Sequence, residues 1–376
     1  MPPESRGYPL KYILQIYTGS GDRPAHRPEE ILRTIREAAG RLPVSRVILG
    51  WCADPAVYDQ ALAFCRGAGI GTLLWLPVFA EGGQDGARDR ALDLSGRPVP
   101  PPEGQEEGTF VFGCPASRRN LDTVTDLYDR RFSGFGFDGV FLDRIRSQTF
   151  ASGVAGVLSC GCERCRQAFL ARGVDIDEVR RLYEEKGDAF FDMADWPQSG
   201  EFTLKEPAAQ RFFEAKEDII AGAAAELSRR FRDRGLAVGM DLFAPLVSRF
   251  AGQNYALLAK HADFIKPMLY RRTEAPAGIG FEYALFEKHA PGAKGRPEIT
   301  PDRAFLEKQL EAAGNVPCEM YAGIEINHDR ELVPTDPAYI AESLSAVRDS
   351  GAAGAVLSWD AVSAPEAHLR AAEGIA

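Results

Sequence analysis

The sequence predicts an α/β protein closed into a (β/α)8 TIM barrel with an insertion after the fourth strand. Three observations carry that prediction. Apolar runs of strand length recur along the chain, and most are followed by a stretch whose apolar residues have helical spacing. The runs are apolar throughout, as expected of parallel strands buried on both faces. Several end on a carboxylate or an aromatic residue, and the C-terminal ends of the strands are where such a barrel carries its chemistry.

Lys11 to Gly19 (KYILQIYTG) is the first strand, and Pro28 to Gly40 is its helix, with Pro and two Glu in the first turn. Arg46 to Ala53 (RVILGWCA) with Pro55 to Gly67 repeats the unit, and Gly71 to Ala80 (GTLLWLPVFA) supplies the third strand. Glu81 to Cys114, with PVPPPEGQEEG at its centre, reads as a long loop. Composition leaves open whether that loop is a solvated excursion or a cover over a substrate. Asn120 to Phe132 is the next helix, leading to the fourth strand at Val140 to Leu142 within GFGFDGVFLDRIR.

The alternation then breaks. Ser147 to Glu206 reads as an insertion with a cysteine cluster and a charged helix near Asp177 to Lys186, and a helix from about Pro207 to Arg234 returns the chain, stopped by Gly235. Ala237 to Pro245 is the fifth strand, Asn254 to His261 a short helix, and Asp263 to Arg272 (DFIKPMLYRR) the sixth strand, weakened by Pro267. Cys318 to Asn327 and Gly354 to Val362 are the seventh and eighth, followed by helices at Asp336 to Ser350 and Pro365 to Glu373. Right-handed crossovers close such a repeat into a barrel, and 376 residues leave about 100 beyond the ~250 typical of it. One barrel over residues 1–376, with 147–206 inserted in it, accounts for the chain. An open doubly wound sheet would show a glycine-rich phosphate turn after the first strand, which YTGSG at Tyr17 to Gly21 does not supply.

With 45% hydrophobic and 26% charged residues, the chain has the composition of a large globular protein. Its 44 Lys and Arg against 54 Asp and Glu give a formal charge of −10 without a basic run, which argues against nucleic acid or an anionic membrane as partner. Met1 to Leu10 (MPPESRGYPL) has neither the pattern of a secretory leader nor the length of a membrane span. A cytoplasmic location is expected, and seven cysteines, four of them grouped, suit a reducing compartment.

Four acids stand near strand ends: Asp143 on the fourth, Asp241 on the fifth, Glu325 on the seventh and Asp360 on the eighth. Asp143 directly follows Val140, Phe141 and Leu142, and an ionised group at the tip of a buried strand needs a cavity or a partner such as Arg144 or Arg146. Convergent carboxylates repel one another, so one is expected to keep its proton at neutral pH while another stays ionised. Glycosidic bond cleavage requires such a pair, one group protonating the leaving oxygen and the other meeting the oxocarbenium-like carbon directly or through water. Trp51, Trp75, Trp359, Tyr270 and Tyr321 fall near strand ends, where flat rings suit sugar faces, although aromatic strand residues are more often core. Arg144, Arg146, Lys266, Asn327 and His328 are candidates for binding substrate hydroxyls. Lys266 carries a second reading as a Schiff-base nucleophile, against the plainer one of an ion pair with a neighbouring acid. No two of the five histidines form an HxH pair, which disfavours a histidine-based metal hydrolase.

Cys160, Cys162 and Cys165 form CGCERC, and Cys114 opens GCPASRR at the end of the long loop. Four thiolates make a closed tetrahedral zinc site with no position for water, so a structural role is expected, pinning the insertion to the barrel. Iron, or a chance grouping of free thiols, are the alternatives. Cys52, Cys65 and Cys318 lie in apolar contexts and read as core.

GFDGVFLDRIR, the GCP before it, CGCERC behind it and DFIKPMLYRR further on resemble a group of uncharacterised barrels classed as glycoside hydrolases, which carry an FDG…LDxIR strand and a D-[YF]-I-x-P-M-x-Y strand. The four cysteines are also similar in order and spacing to the zinc cluster of the glycoside hydrolase family 42 β-galactosidases. That resemblance implies a (β/α)8 fold, structural zinc, and catalytic acids at Asp143 and Glu325. The β-galactosidases have Asn-Glu at the fourth-strand tip, where this chain reads Leu142 and Asp143. The DG…D spacing also resembles part of the chitinase signature, whose catalytic Glu is replaced by Ile145. In amylase-like barrels an Asp at this place is the nucleophile, the role expected of Asp143. The reading is therefore a retaining glycoside hydrolase acting on a carbohydrate, with Asp143 as nucleophile, Glu325 as acid/base, and Asp241 and Asp360 tuning the pair or binding hydroxyls. A sugar-binding barrel without activity and a lyase or aldolase-like enzyme using Lys266 are the other readings.

Overall fold

The computed structural model describes residues 10–81, 88–103 and 110–375. Eight strands form a parallel sheet in sequential order: β1 (Lys11–Gly21), β2 (Val44–Cys52), β3 (Gly71–Pro77), β4 (Gly139–Asp143), β5 (Ala237–Phe243), β6 (Phe264–Met268), β7 (Glu319–Glu325) and β8 (Gly354–Ser358). β8 pairs in turn with β1, from Gly354 opposite Lys11 to Leu357 opposite Leu14, which closes the ring. This is the predicted (β/α)8 barrel, and every strand overlaps the apolar run that predicted it.

The strands are apolar on both faces because each face meets a different core. Ile13, Ile48, Leu73, Trp75, Phe141, Phe264, Tyr321 and Val356 pack together inside the barrel. Their sequence neighbours, such as Leu14, Val47, Leu74, Val140 and Leu357, join the layer beneath the helices. Side chains alternate along a strand, so the inward positions closer to the C-terminal ends are Gln15, Asp143, Lys266, Glu325 and Ser358. The lower barrel is an apolar plug and its upper half carries polar groups. Gly323 belongs to this arrangement, since a Cβ there would lie 2.5 Å from Cε of Lys266. Its missing side chain gives the lysine room to cross the barrel.

Tyr321 departs from the expectation that it lies near a strand end. It is the third residue of β7 and sits opposite Gly354, the first residue of β8. Its ring packs 5.7 Å from that of Phe264, with the Arg46 guanidinium 5.4 Å from its centroid, at the floor of the barrel. The strand runs on to Glu325, four residues past Tyr321, so the ring belongs to its N-terminal half.

Helices cover the outside. Pro28–Ala39 starts with Pro and sets Glu29 and Glu30 in its first turn, against the positive end of the helix dipole. Ser117 caps Arg118–Arg131, and Pro207–Arg232 returns the chain after the insertion, burying Phe212, Phe213, Ile220, Leu227 and Phe231. Two further helices, Ile279–His289 and Arg303–Gly314, lie between β6 and β7, where the residue pattern carries no clear helical signal. In the first, Ile279, Phe281, Tyr283, Leu285 and Phe286 spread around the helix, which blunts the period of 3.6. Asn254 to His261 divides into a short helix, Tyr255–Leu258, and a 3-10 turn, Ala259–His261.

Within residues 147–206 the chain forms the helices Glu163–Leu170 and Ile176–Lys186 and a small hairpin of Met193–Asp195 with Thr203–Leu204. Phe169 stacks on Phe212 of the long helix at 5.0 Å, and Phe150 meets Phe191, Phe250 and Phe286 at 5.1–5.3 Å. The long loop after β3 folds back on the barrel: Ala80–Glu81 pairs with Val111–Phe112, and Cys114 donates its amide to the Asp89 carbonyl at 2.8 Å. Its residues 82–87 and 104–109, and Met1 to Pro9 of the stretch read as lacking a leader, lie outside the described residues. No helix among the described residues is long and apolar enough to cross a membrane.

Candidate active site

Asp143 closes β4, level with Pro77 at the end of β3. Its Oδ2 accepts from Nε1 of Trp75 at 3.0 Å and its Oδ1 from the backbone amide of Arg144 at 2.6 Å. The Arg144 guanidinium, Nε 3.8 Å from Oδ2, lies between the rings of Trp51 and Phe110, 4.2 and 4.1 Å from their centroids. Trp51 packs on Trp75 at 5.2 Å, and Tyr17 stands edge-on to both at 5.8 and 6.5 Å. An aromatic wall thus rises directly from the acid. Arg146 turns away from it, its guanidinium 4.4 Å from the Phe243 ring centroid and 5.0 Å from that of Phe112, donating to the Ser147 carbonyl.

On the neighbouring strand Asp241 lies one step beyond the last paired rung, Leu142 opposite Met240. Two acids therefore stand side by side on adjacent strands, whose spacing is about 4.8 Å. Lys266, fully buried, donates to Oδ2 of Asp241 at 3.1 Å, to Oε1 of Gln15 at 2.9 Å and to the hydroxyl of Tyr270 at 2.7 Å. Burial, reinforced by the charge of Asp143 and opposed by Lys266, raises the Asp241 carboxyl to about 7. The same burial pushes the Lys266 ammonium down, with Asp241 working against it. On the other side of Tyr270, whose ring is 5.8 Å from that of Trp359, Glu325 accepts from the Arg272 amide at 2.7 Å. It too is fully buried and raised to about 7, desolvation being the main cause.

Polar atoms without protein partners occur among these residues: Gln15 Nε2, Trp51 Nε1 and Asp241 Oδ1. Two are donors and one is an acceptor when ionised, a mixture that hydroxyl groups can satisfy and an apolar ligand cannot.

No family model and no curated protein matches the chain. Solved structures do. The PgaB (BpsB) glycoside hydrolase domain of Bordetella bronchiseptica is similar at a TM-score of 0.63, with 14% identity over 96% of this chain and 98% of that one. A class V chitinase of Pseudomonas fluorescens gives 0.51 at 10% identity, covering 97% and 99%, and the spore cortex-lytic enzyme SleL of Bacillus megaterium 0.51 at 10%, covering 100% and 76%. The chain shares the fold of glycoside hydrolase barrels.

The remaining predicted residues divide. Asp360, after β8, is engaged by other partners: its Oδ2 bonds Nε2 of His26 at 2.8 Å and accepts from Ser363 at 2.6 Å. Asn327 is used up by the backbone, donating to the Asp360 carbonyl and accepting from the amides of Trp359 and Asp360, and His328 bonds the Thr335 carbonyl. These three brace the loops of β7 and β8. Gln15 and Tyr17 are site residues that the sequence does not single out. A lone glutamine inside KYILQIYTG was the available signal, since a buried amide needs partners.

The four cysteines converge as the spacing predicted, their sulfurs all within 4.8 Å of one another and as close as 3.3 Å for Cys114 and Cys162. Metal–sulfur bonds of about 2.3 Å in a tetrahedron require sulfurs about 3.8 Å apart, so the set fits a four-thiolate metal site. None of the seven cysteines is in a disulfide.

Proposed function

We propose that this protein hydrolyses a glycosidic bond at the upper mouth of the barrel, with Asp143 and Asp241 as the working carboxylates. The pairing of two acids on adjacent strands beneath the Trp51–Trp75 wall is the observation that carries the reading. Asp143, the most exposed of the three inward acids, meets the anomeric carbon. Asp241, raised to about 7, keeps its proton near neutrality and delivers it to the leaving oxygen. Glu325, expected from the sequence to be the acid/base, stands across Tyr270 with its carboxylate held by a backbone amide, and this favours Asp241 over it. A retaining outcome is the expected one, and it requires the two carboxyl groups to stand about 5–5.5 Å apart. Aromatic faces at the mouth suit pyranose rings, and polymers of N-acetylglucosamine are the first substrates to try, because a chitinase is among the similar folds.

We further assign Cys114, Cys160, Cys162 and Cys165 to a structural zinc, which a reducing, cytoplasmic setting would preserve. The test of the catalytic reading is turnover on acetylated and deacetylated chito-oligosaccharides, galactosides and glucans, with the product anomer followed by proton NMR. Wild-type protein turns over one class, its rate falls as pH rises through about 7 as Asp241 loses its proton, and Asp143→Asn loses at least about 10³-fold while folding normally. A fully active Asp143→Asn protein would sink the assignment.

A further inference from the structure

Lys266 has no counterpart in a simple two-acid site. It leaves β6 at an inward position, passes Gly323, and ends on three polar groups from three places in the barrel: Gln15 of β1, Asp241 of β5 and Tyr270 beyond β6. Its ammonium has three N–H donors, and all three are matched. A Schiff-base role needs a neutral amine with its lone pair aimed at a substrate carbonyl, whereas this nitrogen is turned to Gln15, Asp241 and Tyr270. Two of the three anchored groups keep a second atom unused, Nε2 on Gln15 and Oδ1 on Asp241.

We propose that Lys266 is a positioning residue for Asp241: it fixes one oxygen of that carboxylate and the amide oxygen of Gln15, and so aims Oδ1 of Asp241 and Nε2 of Gln15 at the sugar bound between them. The inference rests on the reading of Asp241 as proton donor. Lys266 acts through two effects. Its hydrogen bond holds Oδ2, so the proton resides on Oδ1, the oxygen without a protein partner. Its positive charge opposes the burial and the Asp143 charge that push the carboxyl upward, keeping the proton loose enough to be given away near neutral pH. Gln15 Nε2, fixed by the same ammonium, offers a donor to a neighbouring hydroxyl, so one lysine sets both a catalytic and a binding atom.

The charged and titratable groups around Asp241 are Asp143 and Arg146 from β4 and its loop, Lys266 and Tyr270 from β6 and its loop, and Tyr255 from the segment after β5. Glu325 of β7 faces the same Tyr270 from the far side. Of the two cations, only Lys266 is hydrogen-bonded to Asp241, so its removal is the specific perturbation.

The experiment follows the side-chain carboxyl carbons of ¹³C-aspartate-labelled protein by NMR between pH 4 and 9, with Asp143→Asn and Asp241→Asn assigning the two signals. In Lys266→Met the Asp241 titration moves up by about one pH unit or more, as the loss of an adjacent opposite charge requires. Lys266→Gln, which keeps a neutral hydrogen-bond donor in the same space, also moves it up by removing the charge. It serves as the second variant should Lys266→Met fail to fold. An Asp241 titration unchanged in a folded Lys266→Met protein, or in Lys266→Gln if the methionine variant does not fold, overturns the proposal. These readouts need no substrate: if no glycoside is ever cleaved but the titrations move, the role of Lys266 toward Asp241 stands and the hydrolase reading falls.

Discussion

Glu325 shows how a single carboxyl in this barrel links protonation to stability. In the folded chain it is raised to about 7 by burial, whereas an exposed glutamate titrates near 4.3. Between those values the native state holds a proton that the unfolded chain has released, so stability falls as pH rises through this window. The span of almost three pH units corresponds to about 4 kcal/mol in full, at 1.36 kcal/mol per unit, of which about 3 kcal/mol is lost between pH 5 and pH 8. Glu325→Gln keeps an acceptor for the Arg272 amide and removes the titration. Urea unfolding at pH 5 and pH 8 is therefore expected to show a gap in stability about 3 kcal/mol smaller in the variant than in the wild type. An unchanged gap would mean that Glu325 is hydrated in the folded state. Residue by residue, the sequence made the acids legible because they interrupt apolar runs, but not their partners. Asp360 stands two residues past the end of β8, and the His26 that claims it lies 334 positions away. Such pairings belong to the topology and leave no local mark.

At the scale of elements, the eight strands were readable because burial on both faces makes each a continuous apolar run, and the turn chemistry around them is strong. Helix Ile279–His289 was not, because it is apolar on several sides and carries the buried Glu282, bonded to Thr149 and the Ala277 amide, where a surface helix would show a clean stripe. The cysteine cluster was legible from spacing alone, and it joins elements that share no β-ladder: the end of the long loop and the start of the insertion. About one zinc per chain is expected by elemental analysis. Removing it with a strong chelator, or replacing Cys162 by Ser, is expected to lower Tm by several degrees and to open residues 147–206 to proteolysis before the barrel itself. Full resistance of that segment in metal-free protein would assign its anchoring to Phe169 and Phe212 instead.

For the whole molecule, closure between β8 and β1 is what converts eight units into a ring. At this seam a Cβ on Gly354 would lie 2.2 Å from the Lys11 carbonyl oxygen, so Gly354→Ala forces the first and last strands apart. A loss of about 1–3 kcal/mol is expected by denaturant titration. A neutral result would show that the seam relaxes without cost. The division of the barrel interior into an apolar lower half and a polar upper half has a consequence for anyone altering it. Low polarisability beneath the mouth leaves few mobile charges to screen one upper residue from the next, so Asp143, Asp241, Lys266, Tyr270 and Glu325 respond as one electrostatic unit. Substitutions among them will be epistatic, departing from additivity by about 0.5–3 kcal/mol, while Gly354→Ala combined with any of them will simply add. Selection acting on this mouth would have to change its residues in groups.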